Sequence, residues 1–146
     1  MYNVNEIANK ILYVSSLPDT GEYISNMKLQ KLLYYQQGFH LAYFDTPLFD
    51  DEIEAWMYGP VVPSVYERFE KFGKNGINND NTNKIPILTD EEESLFNEVM
   101  ETYGKYSAIG LMNLTHSEKP WKNTDIGVGN IIAKNKMKSF FRNRLK

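Results

Sequence analysis

The stretch N26-MKLQKLLYYQQGFHLAYFDTPLFDDEIEAWMYGPVVPSV-Y66 carries the strongest structural signal in the chain. Its first part, residues 26–44, reads as a helix opened by Ser25, a side chain that caps helix N-termini. On a helical wheel Leu29, Leu32, Leu33, Gln36, His40 and Tyr43 share one face, while Met27, Tyr34 and Leu41 occupy much of the other. A helix apolar on both sides has to be packed by neighbours all round, so this one is central and the fold is helical. Its second part, Glu54-Ala55-Trp56-Met57-Tyr58-Gly59-Pro60-Val61-Val62-Pro63, combines aromatic and proline residues too specifically for an ordinary loop.

Outward from this stretch the helical pattern continues. Val4, Ile7, Ala8, Ile11 and Leu12 follow three-four spacing, which predicts a first helix over 4–16 capped by Asn3 or Asn5, ended by Leu17-Pro18-Asp19-Thr20-Gly21. Between Thr46 and Gly59 the apolar residues are spaced as short strands, which predicts a small β-ribbon near residues 47–58. Pro60 and Pro63 fit the start of a third helix, 61–72, with Val62, Val65, Tyr66 and Phe69 inward. Gly73 to Pro86 reads as a long Asn-rich surface loop, mobile and open to proteolysis. Thr89-Asp90-Glu91-Glu92 is a capping box opening a fourth helix to Tyr103, and Ser107 caps a fifth over 108–116 that Pro120-Trp121 stops. A turn with Gly127 and Gly129 then leads to a terminal helix. The expectation is a mainly α, compact single-domain bundle of about six helices spanning 1–146, with one small ribbon.

Composition narrows the function. The chain has 146 residues and no cysteine, which excludes disulfides, thiolate nucleophiles and zinc–thiolate sites. No apolar run has the length of a membrane span, and the N-terminus lacks the basic and apolar regions of a signal peptide, so the cytoplasm is the expected location. The net charge of −3 does not recruit nucleic acid. Basic residues nevertheless crowd the end: Lys134, Lys136, Lys138, Arg142, Arg144 and Lys146 alternate with Met137, Phe140, Phe141 and Leu145. This amphipathic basic helix reads either as a docked terminal helix or as a contact for an acidic partner.

Candidate chemistry is sparse. Gln36 and His40, with His116 and Trp121, read as a structural polar network joining helices, since buried amide and imidazole groups need partners. His40 and His116 with Asp50, Asp51, Glu52 or Glu54 do not form a recognised metal spacing, so no metal and no cofactor are expected. There is no phosphate-binding glycine loop and no nucleophile elbow. An enzyme built on His40, His116 and Glu54 requires those side chains to converge. The stronger candidate is a protein contact surface in the Trp56–Pro63 segment, where rigid aromatic and proline residues lose little entropy on binding. The expected partner-binding set is Trp56, Tyr58, Gly59, Pro60, Val61 and Pro63 with Tyr34 and Tyr35.

Three blocks carry a family resemblance: Lys28-Leu29-Gln30-Lys31-Leu32-Leu33-Tyr34-Tyr35 with Gln37-Gly38; Trp56 to Pro63; and Thr115-His116 with Pro120-Trp121. Together they resemble the Panacea domain of SocA-like antitoxins, also described as phage-associated proteins. Gln36 and Phe39 depart mildly, standing where relatives often have a small residue and tryptophan. The resemblance implies a helical, non-enzymatic domain that binds a cognate toxin, encoded by an adjacent gene. It also implies two alternatives: an adaptor delivering the toxin to a ClpXP-type AAA+ protease, or a prophage regulatory protein. No membrane or nucleic-acid partner is implied, and a dimer is left open.

Overall fold

The structure, a computed structural model, describes residues 1–17, 23–78 and 84–145. Seven α-helices lie among them: α1 (Val4–Ser15), α2 (Asn26–Phe44), α3 (Pro63–Phe69), α4 (Asp90–Tyr103), α5 (Ala108–Ser117), α6 (Lys119–Lys122) and α7 (Lys134–Arg142). A 3₁₀ turn, Glu70–Phe72, extends α3. Two strands, β1 (Glu54–Trp56) and β2 (Gly59–Val61), pair antiparallel, with Trp56 opposite Gly59 and Met57-Tyr58 as the connecting turn.

Helix α2 is the axis of the molecule. Every residue from Lys28 to Ala42 is buried, and α7, α4, α5, α1, α3 and β2 all pack on it. This is the arrangement that an all-round apolar helix requires. Its ends are set by local chemistry: the Ser25 side chain accepts from Lys28 N, and Asp45 closes the helix in the left-handed region at φ 65°. Tyr43, expected on the buried leucine face, is instead 57% exposed, because the last turn emerges beyond its neighbours.

The terminal helix docks on the middle of α2. Phe141 is fully buried against Tyr34, Tyr35 and Phe39, and Met137 is buried beside it. Close approach is achieved at Gly38, where a Cβ would stand 2.1 Å from Phe141 Cε2. The basic face of α7 meets acids of the chain itself: Lys134 Nζ lies 2.9 Å from Glu52 Oε1, and Lys138 and Arg142 both approach Asp45. The segment is a docked helix, as the first of its two sequence readings has it.

The capping box of α4 is formed in full, Thr89 and Glu92 each accepting from the other's backbone N–H. The Ser107 hydroxyl accepts from Gly110 N at the start of α5. The ribbon lies later than the pattern suggested. Residues 47–53 form bends and one parallel bridge, Tyr2 with Phe49, and the second strand takes residues assigned to the start of α3. Pro60 tolerates this because the pair is short, with β2 contributing an edge. A third extended segment flanks β1: Ala55 N donates to Asn130 O, Gly127 N to Ala55 O, and Ile132 N to Ile53 O. The turn predicted before α4 is stitched down where it is described, with Ile77 buried and Ile77 N donating to Ile24 O. Its centre, residues 79–83, and the break at 18–22 lie outside the described residues.

Candidate functional site

Strand β2 packs against α2, with Gly59 lying against Lys31, and a cleft of about 950 Å³ is lined by residues of both. Its apolar lining comes from Trp56, Met57, Tyr58, Val61 and Tyr66, from Ile109 of α5, and from Ile126 and Val128 of the flanking turn. Much of this apolar surface faces solvent: Met57 is 63% exposed, Tyr58 59%, Ile109 63% and Val128 82%. Contiguous exposed apolar surface on a folded domain marks a contact site.

Trp56 is fixed rather than free. Its indole N–H donates to Glu54 Oε1 (3.0 Å), its ring meets Tyr66 edge-on (5.1 Å between centroids), and its carbonyl accepts from Trp121 Nε1 (2.9 Å). Glu54 Oε1 also accepts from Gly129 N at 2.7 Å, tying the flanking turn to the ribbon. Trp121 stacks on His116 at 3.9 Å and 16°. Burial and the positive charge of Lys31 lower the His116 pKa, against the opposing effect of the Met57 backbone. His116 Nε2 is buried and, among the described residues, has no hydrogen-bond partner.

The floor of the cleft holds an unexpected cation. Lys31 is 1% exposed, and burial brings its ammonium pKa down from 10.5 to about 7. Among the described residues it has neither an ion pair nor a hydrogen bond. Gly59 passes directly over it at φ 117°; a Cβ there would stand 2.6 Å from Lys31 Cε and 3.1 Å from Thr115 Oγ1. That approach accounts for glycine at the ribbon turn. The neighbouring amides are committed elsewhere: Gln30 donates to Asn26 Oδ1 and accepts from Val62 N, and Asn26 donates to Tyr66 O.

The expected contact residues therefore divide. Trp56 and Pro63 are half-buried and Tyr58 is exposed, whereas Gly59, Pro60 and Val61 are buried beneath the turn. Tyr34 and Tyr35 are fully buried, so a partner docked on this face does not touch them. Both hydroxyls donate to the Glu118 carboxylate (3.0 and 3.2 Å), and Tyr35 stacks on Tyr103 at 4.0 Å. Burial raises the Glu118 pKa to about 7, despite the two tyrosines and Arg144.

The four polar residues expected in one network occupy two places. Gln36 Nε2 donates to Phe96 O, and the His40 ring nitrogens face Thr46 O (2.6 Å) and Glu92 Oε2 (2.7 Å), joining α2 to α4. Glu92 also accepts from the Tyr2 hydroxyl. Burial raises its pKa, but the hydrogen bonds from Tyr2, His40 and Thr89 outweigh this and bring it to about 2. His116 and Trp121 serve the ribbon instead. His40 lies against Thr46 and Glu92, whereas Glu54 and His116 lie at the ribbon beside Trp56 and Trp121, so the three do not converge. Among the described residues no three His, Asp or Glu side chains gather as a metal requires, and no helix is long and apolar enough to cross a membrane.

Sequence reading missed the buried roles of Lys31, Gln37 and Glu118, and, for the capping-box residue Glu92, its contacts to Tyr2 and His40. Gln37 donates to Phe49 O and accepts from Leu48 N, anchoring the segment before the ribbon. The available signal was position: on a helix buried all round, Lys31 and Gln37 had to lie inside.

Fold and site define a mainly helical domain with an open apolar cleft beside a braced ribbon. The family model described as antitoxin SocA-like, Panacea domain matches residues 29–122, which hold most of α2, the ribbon and α3 to α6. A curated relative, Antitoxin SocA of Caulobacter vibrioides (strain NA1000 / CB15N), is 33% identical over 153 residues, covering 93% of this chain and 80% of the relative. The chain belongs to the SocA-like Panacea domain family. No solved structure matches it.

Proposed function

We propose that this chain is an antitoxin that neutralises a cognate toxin by direct binding, with the ribbon turn and its cleft as the contact face. Membership of a family whose curated relative is named an antitoxin supports the role. The observation that carries the choice of face is the exposed apolar surface of Met57, Tyr58, Ile109 and Val128 around the cleft. A rigid ribbon turn braced by Trp56 presents that surface at little entropic cost. The toxin is the product of an adjacent gene, and the role requires no catalysis by this chain.

The test is co-expression with each neighbouring open reading frame, scoring growth and complex formation together. Neutralisation predicts a toxic neighbour whose growth arrest is relieved by this chain and which co-purifies with it. Met57→Asp or Tyr58→Asp abolishes both effects while leaving the fold intact, because both side chains are exposed. Relief that persists in either variant removes the contact face from the account. Relief without a stable complex, lost when a cellular AAA+ protease is deleted, replaces neutralisation by delivery to that protease.

A further inference from the structure

We propose that the cleft receives an apolar segment of the partner protein bearing one acidic side chain, whose carboxylate pairs with Lys31 at the cleft floor. The inference rests on the reading above that this face receives a protein, and it adds the chemistry of the segment that enters.

Charge is the first argument. The described residues lining the cleft include two cations, Lys31 and Lys74, and no acid, on a chain whose net charge is −3. The rest of the lining is largely aromatic and aliphatic. A ligand complementary to it is apolar over most of its length and negative at one point.

Satisfaction is the second. Lys31 is 1% exposed, lines the cleft and lacks a partner among the described residues. A buried ammonium without an anion is costly, and pairing it inside a desolvated cleft recovers that cost on binding. Gly59 packs against the end of this side chain, where a Cβ would stand 2.6 Å from Lys31 Cε and 3.2 Å from Nζ, so the ribbon backbone holds the amine in place before any ligand arrives.

Donor number decides the kind of anion. A phosphate needs several donors, but Gln30 and Asn26 are engaged with Val62 N, Tyr66 O and each other. One amine at the floor suits a single carboxylate. The exposed apolar surface continues outward from the cleft over Met57, Tyr58 and Val128, which favours a polypeptide crossing the rim over a small acid enclosed within it.

The test does not need the toxin. A phage-displayed library of random twelve-residue peptides is panned on the full chain, and enriched peptides are synthesised with capped ends. The expected result is a family of apolar peptides with one Asp or Glu. Their affinity falls at least tenfold when that acid becomes Gln or Asn, and again when the protein carries Lys31→Met. The acid exchange on the peptide leaves the protein unaltered, so loss of folding in a variant cannot imitate the result. Peptides that bind without an acid, or no enrichment, overturn the proposal. Titration with decanoate is the second arm: saturable binding of decanoate with no peptide binding assigns the cleft to a small carboxylic acid and overturns the protein segment. Panning succeeds or fails independently of growth rescue, so failure of the antitoxin reading remains separately visible.

Discussion

Replacing Lys31 by methionine should stabilise the free protein, and the gain should disappear at high pH. The side chain is buried at 1% exposure, and burial lowers its pKa from 10.5 to about 7. Below pH 7 the folded state carries a desolvated ammonium that the unfolded chain keeps in water. The gap between 10.5 and about 7 corresponds to on the order of 5 kcal/mol. Between those pH values the unfolded chain binds a proton the folded one has released, so wild-type stability rises with pH. Methionine has nearly the same length and no charge, and imperfect packing takes back roughly 1 kcal/mol. The variant should therefore be more stable by about 4 kcal/mol at pH 6, equivalent to a melting temperature roughly 8–16 °C higher. By pH 10.5 the two should be nearly equal. Urea denaturation of both proteins at pH 6, 8 and 10 measures this. Comparing variant with wild type cancels the titration of Glu118 and other groups. Equal stability at every pH, or a variant less stable at pH 6, would show that the amine is paired in the folded protein and would refute the reasoning.

Three further outcomes follow from the packing and the buried acids. Gly38→Ala should destabilise by about 2 kcal/mol in thermal or urea unfolding, because its Cβ would meet the buried Phe141 ring at 2.1 Å, outweighing alanine's better helix propensity. The Glu118 pKa is raised from 4.5 to about 7, so the folded state holds a proton the unfolded state loses. Its contribution is full below pH 4.5 and gone above about 7, and Glu118→Gln should remove that slope, being the more stable protein at pH 8. The Glu92 pKa is lowered from 4.5 to about 2, so its contribution is full above pH 4.5 and lost as pH falls toward 2. Glu92→Gln should cost about 1–3 kcal/mol at pH 7 through weaker bonds to Tyr2 and His40, a difference that narrows in acid.

The helices with strong local signals were legible from the chain alone. Residues 26–44 are apolar all round, and the helix runs Asn26–Phe44; Thr89 and Glu92 announce a capping box, and it forms. The ribbon was legible in kind and partly in place: β1 falls within 47–58, while Gly59–Val61, buried on every residue, shows no alternation to mark it as a strand. The same all-round burial of α2 hid which side chains face the surface. Tyr34 and Tyr35 look like contact residues, yet their hydroxyls are held inside by Glu118. Lysines and glutamates in a sequence read as solvated, so a lone ammonium beneath a ribbon and a carboxylate between two tyrosines emerge only from the tertiary arrangement.

The most direct measurement of the central claim is the affinity of the purified chain for its cognate toxin, compared between wild type, Tyr58→Asp at the ribbon turn and Tyr13→Asp on α1. Tyr58 and Tyr13 are both exposed aromatics, at 59% and 46%. The account predicts at least a tenfold loss for Tyr58→Asp and unchanged affinity for Tyr13→Asp. Equal affinity for all three proteins would contradict it.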